Sequence, residues 1–151
     1  MNILALILVT YCLINLLARR QLYTMDRGNI MIVENDVIIA NDIMVSLTEE
    51  GYEICCMATT GEDALEEAAK HRPDLVIMNV NLQGNMTGIE AAEQIVEGTR
   101  TPVIFLTGYP EHSVMNGRSK AGLFRFVSKP INQTELLSTI EQALSSKQAD
   151  S

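Results

Sequence analysis

Leu75-Val76-Ile77-Met78-Asn79, inside the longer stretch PDLVIMNVN at 73–81, decides the fold. An apolar run bounded by Pro73 before and a polar residue after reads as a buried strand. Asn79 sits where such a strand hands its last side chain to a surface cleft. Outward from it, four more short β-like runs stand at Ile30 to Val33, Glu53 to Ala58, Val103 to Thr107 and Phe124 to Ser128. Helix-like segments separate them, the alternation expected of βα units around a parallel sheet.

The intervening segments carry helical signals. Val37, Ile38, Ile43, Met44 and Leu47 recur at helical spacing, and Gly51 follows as a stop. Thr60-Gly61-Glu62-Asp63 places a capping residue and acids at the start of a second helix. A third runs from Thr87 through Ile89, Ala92, Ile95 and Val96, with Gly98 expected to end it. A fourth, weaker one is expected between Glu111 and Ala121, where Gly117 disfavours helix. The last runs from Asn132 through Leu136, Leu137, Ile140 and Leu144 before the polar SSKQADS.

The chain has 151 residues, 47% apolar and 20% charged, enough for one domain with a real core and too few for a second folded module. A net charge of -8 argues against unspecific binding to nucleic acid or an anionic membrane, and proteins are the expected partners. Cys12, Cys55 and Cys56 make an odd count. Neighbours in one strand point to opposite faces, so the adjacent pair is a poor disulfide candidate, and a reducing compartment is expected. Cys55 and Cys56 read as small buried side chains rather than metal ligands, because no His or further Cys is near in sequence.

Residues 1–24 stand apart from the domain expected over 25–146, which a polar tail at 147–151 follows. Ile3 to Ala18 is nearly charge-free and precedes Arg19 and Arg20. Its sixteen residues span about 24 Å as a helix, less than the roughly 30 Å hydrocarbon core. Two readings stand: a membrane tether, with the arginines holding the domain on the cytoplasmic side, or an upstream extension before a start at Met25. Both place the domain in the cytoplasm.

Ligands of an open parallel sheet gather outside the C-terminal ends of its strands. Those ends carry Glu34-Asn35-Asp36, Asn79, Thr107-Gly108 and Lys129-Pro130. Together with the ordered motifs MIVEND, PDLVIMNVNLQGNMTGIEAA, TPVIFLTG and AGLFRFVSKP, this set resembles the receiver domain of two-component response regulators, the module also found as the stand-alone chemotaxis regulator. The resemblance covers Asn29 to about Leu144. It implies a doubly wound, flavodoxin-like α/β fold with a five-stranded parallel sheet in the order 2-1-3-4-5.

In that family a strand-one acidic pair holds Mg²⁺, a strand-three aspartate takes a phosphoryl group from a histidine kinase, and a Thr or Ser and a Lys bind the phosphoryl oxygens. Carried over by motif, Glu34 and Asn35 match the acidic pair and Asn79 the phosphoacceptor. Asn81 matches the residue whose backbone carbonyl ligates the metal, Thr107 the hydroxyl, Phe126 the aromatic that reports on the switch, and Lys129 the lysine. Two of the three acid positions are asparagine.

An amide oxygen is a weak nucleophile, so no acyl phosphate is expected at Asn79. Mg²⁺ relies on anionic oxygen, and with Glu34 as the one anion it should bind weakly if at all, leaving no cofactor. Asp36 is expected to start the first helix rather than replace the missing charge. Asn35, Asn79, Thr107 and Lys129 are expected to form a polar cluster, with Glu34 partnering the lysine. An enzyme is not expected: ENDV after the first strand is no Gly-rich dinucleotide turn, and His71 and His112 lie away from the cleft.

Three functions follow: a receiver-like protein acting through protein partners such as a histidine kinase, without phosphorylation at the usual site; a fixed scaffold; or a receiver phosphorylated elsewhere, at Thr107 or Glu34. Partner, signal and oligomeric state are not encoded legibly.

Overall fold

Five strands, β1 (Asn29–Val33), β2 (Glu53–Ala58), β3 (Leu75–Asn79), β4 (Val103–Thr107) and β5 (Phe124–Ser128), pair in parallel in the order β2-β1-β3-β4-β5. The structure, a computed structural model, describes residues 3–22, 27–109 and 122–149. Five helices lie among them: α1 (Ile3–Leu22), α2 (Val37–Glu49), α3 (Gly61–His71), α4 (Gly88–Thr99) and α5 (Gln133–Ala149). The helix expected between Glu111 and Ala121 lies outside the described residues.

Strand alternation splits the core in two. Met31, Val33, Val76, Met78, Val103 and Phe105 pack on one face with Ala64, Ala68, Ala91, Ala92, Ile95 and Val96 of α3 and α4. Ile30, Ile32, Leu75, Ile77, Ile104 and Leu106 pack on the other with Ala40, Ile43 and Leu47 of α2 and Leu136, Ile140 and Ala143 of α5. Every residue of β3 and β4 is buried, as central strands covered on both faces must be.

Helix starts follow the caps. Asp36 accepts from Ile38 N (2.9 Å) and Ile39 N (3.2 Å), Thr60 from Asp63 N (3.1 Å), and Thr87 exchanges bonds with Glu90 in a capping box. Helix ends differ from expectation. Gly98 does not stop α4; Arg100 takes the left-handed conformation (φ 56°), its N–H bonded to Val96 O at 2.8 Å. The polar segment from Ser145 continues α5 to Ala149, held by Lys147 on Asp74 (3.1 Å) and Arg125 on Ser146 (2.9 Å).

Two further expectations meet the structure. Among the described residues no helix is long and apolar enough to cross a membrane. The apolar side chains of α1 that are described, including Ile7, Leu8 and Tyr11, are exposed. In β2 the pairing with β1 slips between Ile30↔Ile54 and Met31↔Cys56, leaving Cys55 as the extra residue of a β-bulge. The bulge cancels the usual alternation, so Cys55 Sγ and Cys56 Sγ lie 3.5 Å apart instead of on opposite faces.

The start of α4 locks onto the end of β3. Gly88 N donates to Val80 O (3.1 Å), and a Cβ at Gly88 would collide with the Asn79 carbonyl oxygen. Gly88→Ala should therefore destabilise the domain by about 3 kcal/mol in urea unfolding. Gly98→Ala, with open space around its Cβ, should stabilise it by about 0.5–1 kcal/mol.

Candidate functional site

The C-terminal ends of β1, β3 and β5 bring Glu34, Asn35, Asn79 and Lys129 together. Glu34 follows β1 with its side chain fully buried, a position that a carboxylate tolerates only with compensating partners. Three are present. Lys129 Nζ donates to Oε2 at 3.1 Å, and Oε1 accepts from Asn79 Nδ2 (2.8 Å) and Asp36 N (3.0 Å). Lys129 reaches in from the end of β5 and keeps about a quarter of its side chain exposed.

Asn79 is 7% exposed and held by both ends of its amide. Oδ1 accepts from Asn81 N at 3.2 Å, which fixes the nitrogen on the opposite side. Nδ2 there faces Glu34 Oε1, Asn81 O (3.1 Å) and the Asn35 amide (2.9 Å). With its oxygen inward Asn35 accepts from Asn79 Nδ2 but crowds the other oxygens. With its nitrogen inward it donates to Asn81 O (3.0 Å) and Glu34 Oε1 (3.2 Å), but meets the Asn79 NH₂ group donor to donor at 2.9 Å. In both orientations the NH₂ group of Asn79 occupies the centre of the oxygens.

The residues do not fit Mg²⁺. Hard cations need anionic oxygen, and Glu34 is the single carboxylate in the group, already neutralised by Lys129. A cation drawing on Glu34 Oε1 and Asn81 O would also meet the hydrogens of Asn79 Nδ2. Turning that amide would bring its NH₂ against Asn81 N–H.

Thr107 and Phe126 stand beside this network, not in it. The expected bond between Thr107 and the cluster is absent, because its hydroxyl accepts from Tyr109 N (2.9 Å), two residues on, in a local turn. Thr107 is joined to the lysine through the backbone alone, Lys129 N to Thr107 O at 2.8 Å. Phe126 stacks on Phe105, ring centroids 5.4 Å apart and planes at 26°. Residue types at strand ends signalled the cluster; nothing in the sequence signalled the Asp36 N–H on Glu34 or the capture of Thr107 by Tyr109. His71 lies elsewhere, paired with Glu67 at 3.1 Å, and His112 is outside the described residues.

Comparison with known proteins agrees with this architecture. Residues 30–141 match the response regulator receiver domain. The transcriptional regulatory protein PdtaR of Mycobacterium tuberculosis is 35% identical over 116 residues, covering 77% of this chain and 56% of that protein. The anti-anti-sigma factor PhyR of Bartonella quintana is 29% identical with a TM-score of 0.72, over 88% of this chain and 54% of that one. The signal receiver domain of a modulated diguanylate cyclase from Desulfovibrio desulfuricans G20 is 25% identical with a TM-score of 0.75, over 82% and 98%. The chain spans about half the length of the curated relatives PdtaR and PhyR. With its strand order and its match over residues 30–141, this chain belongs to the response regulator receiver domain family of two-component signalling.

Proposed function

We propose that this receiver domain signals by binding protein partners, a histidine kinase or another signalling protein, without taking a phosphoryl group at Asn79. The observation that carries the reading is the state of the Asn79 amide. Its nitrogen is spent on Glu34 Oε1 and Asn81 O, and its oxygen is a neutral amide oxygen bonded to Asn81 N. The nitrogen lone pair is delocalised into the amide and the neutral oxygen is a weak nucleophile, so neither atom is suited to attack on phosphorus. The description of PhyR as an anti-anti-sigma factor, an activity directed at a protein, supports a protein partner here.

Without a phosphoryl group, any switch must draw on a partner's preference for one of two conformations. A shift from 1:99 to 99:1 needs about 5.5 kcal/mol of differential binding. The saturation of Glu34 and the capture of Thr107 by its own turn favour a second reading, a fixed scaffold. Amide shifts on adding a partner kinase separate the two: changes reaching from the contact surface to Phe126 and Thr107 indicate switching, and changes confined to that surface indicate a scaffold.

Incubation of the chain with Mg²⁺ and a small-molecule phosphodonor should leave its intact mass unchanged. A stoichiometric phosphoryl adduct, on Thr107, Glu34 or elsewhere, would overturn the reading. The Asn35→Asp, Asn79→Asp double variant should gain both Mg²⁺ binding and the adduct; gaining neither would refute Asn79 as the acceptor position. Asn79→Asp alone replaces the NH₂ donor by an oxygen 2.8 Å from Glu34 Oε1. Without metal it should lose about 2–4 kcal/mol in urea unfolding, from carboxylate repulsion and lost hydrogen bonds, with Mg²⁺ restoring part of it.

A further inference from the structure

At the β2 edge of the sheet, Cys56, Glu67 and His71 converge. We propose that these residues form a binding site for a thiophilic divalent cation of the zinc type, bridging β2 to α3. One ligand atom from each residue, a thiol sulfur, a carboxylate oxygen and an imidazole nitrogen, lies within 4.8 Å of the other two. Bonds of about 2.0–2.3 Å to tetrahedral zinc set ligand atoms about 3.3–3.8 Å apart, so closure needs movement on the order of 1 Å.

The placement follows from local structure. Glu67 and His71 are four residues apart on α3 and share one face, with Glu67 Oε2 to His71 Nε2 at 3.1 Å. Cys56 meets that face from β2, where the bulge at Cys55 also brings a second sulfur to 3.5 Å from Cys56 Sγ. Three protein ligands leave one tetrahedral position open for water. Cys56 is half-buried, and the Glu67 and His71 side chains are a quarter to a third exposed, so an ion can enter from solvent.

Donor chemistry selects the ion. Sulfur and imidazole suit Zn²⁺ or Co²⁺ and are poor ligands for Mg²⁺ or Ca²⁺. Lys70 Nζ stands 4.0 Å from the other oxygen of Glu67, Oε1, leaving Oε2 for the metal. Loading would fasten the edge strand to α3.

The test uses the full chain, reduced, with the exposed Cys12 changed to Ser so that no other exposed thiol competes. Titration with Co²⁺ should give a sulfur-to-cobalt charge-transfer absorption that saturates at one equivalent and is displaced by Zn²⁺. His71→Ala and Glu67→Gln, both at partly exposed side chains, should each weaken Co²⁺ binding at least about tenfold, and Cys56→Ser should abolish the absorption. The proposal is overturned if no such absorption develops, or if it survives His71→Ala and Glu67→Gln at undiminished affinity, results that hold even if Cys56→Ser fails to fold.

Discussion

A carboxylate without solvent governs the functional end of this molecule. Glu34 has no exposed side-chain surface, and an ionised group in that position is tolerable only when charge and hydrogen bonds replace water. Lys129 supplies the charge from β5, Asn79 a donor from β3, and Asp36 a backbone donor from the start of α2. The compensation of one carboxylate thereby ties together the ends of three strands and a helix. Its Coulomb energy is not a guide to stability, since a buried pair roughly returns its own desolvation cost. Its structural effect is specificity of arrangement: Lys129 serves Oε2 while Asn79 and the Asp36 N–H share Oε1.

The asparagine at the centre of this arrangement works as a small, fixed source of positive charge. Glu34 Oε1 and Asn81 O would repel one another unshielded, and the Asn79 NH₂ group places its hydrogens between them. An aspartate of nearly the same shape would add a third oxygen and require a cation. On the proposed reading, exchanging carboxylate for amide substitutes a covalently attached donor for a dissociable ion. The site then holds together at any metal concentration and gives up response to one.

How much of this was legible before the structure depended on whether the information was local. Apolar runs such as Leu75 to Met78 read directly as strands, because a doubly covered sheet leaves few other uses for them. The strand-end residues Glu34, Asn79 and Lys129 were legible by position, since a parallel sheet delivers its strand ends to one side. Thr107 bonds within its own turn rather than to the cluster for a reason of range: a backbone N–H two residues away is nearer than partners across the strand ends. Gly98 looked like a helix stop, but the helix ends where the last carbonyls find partners, and Arg100 reaches Val96 O by adopting a left-handed turn.

The bulge in β2 shows what pattern reading omits. Period-two alternation assigns Cys55 and Cys56 to opposite faces, and a single slipped pair between Ile30 and Met31 reverses that assignment. No residue at this point announces the slip; it is a property of how the edge strand fits against β1. Edge strands accept bulges more readily than central ones, because one side of their ladder is unpaired and can bend. The same freedom explains why an unusual group of side chains sits here. β1, β3 and β4, fixed by neighbours on both sides, are confined to apolar packing until their ends. The β2 edge can turn sulfurs toward a helix face that also offers an imidazole and a carboxylate. Among the described residues, the polar groups at the C-terminal strand ends and at the β2 edge both sit where a central strand's demand for apolar packing no longer applies.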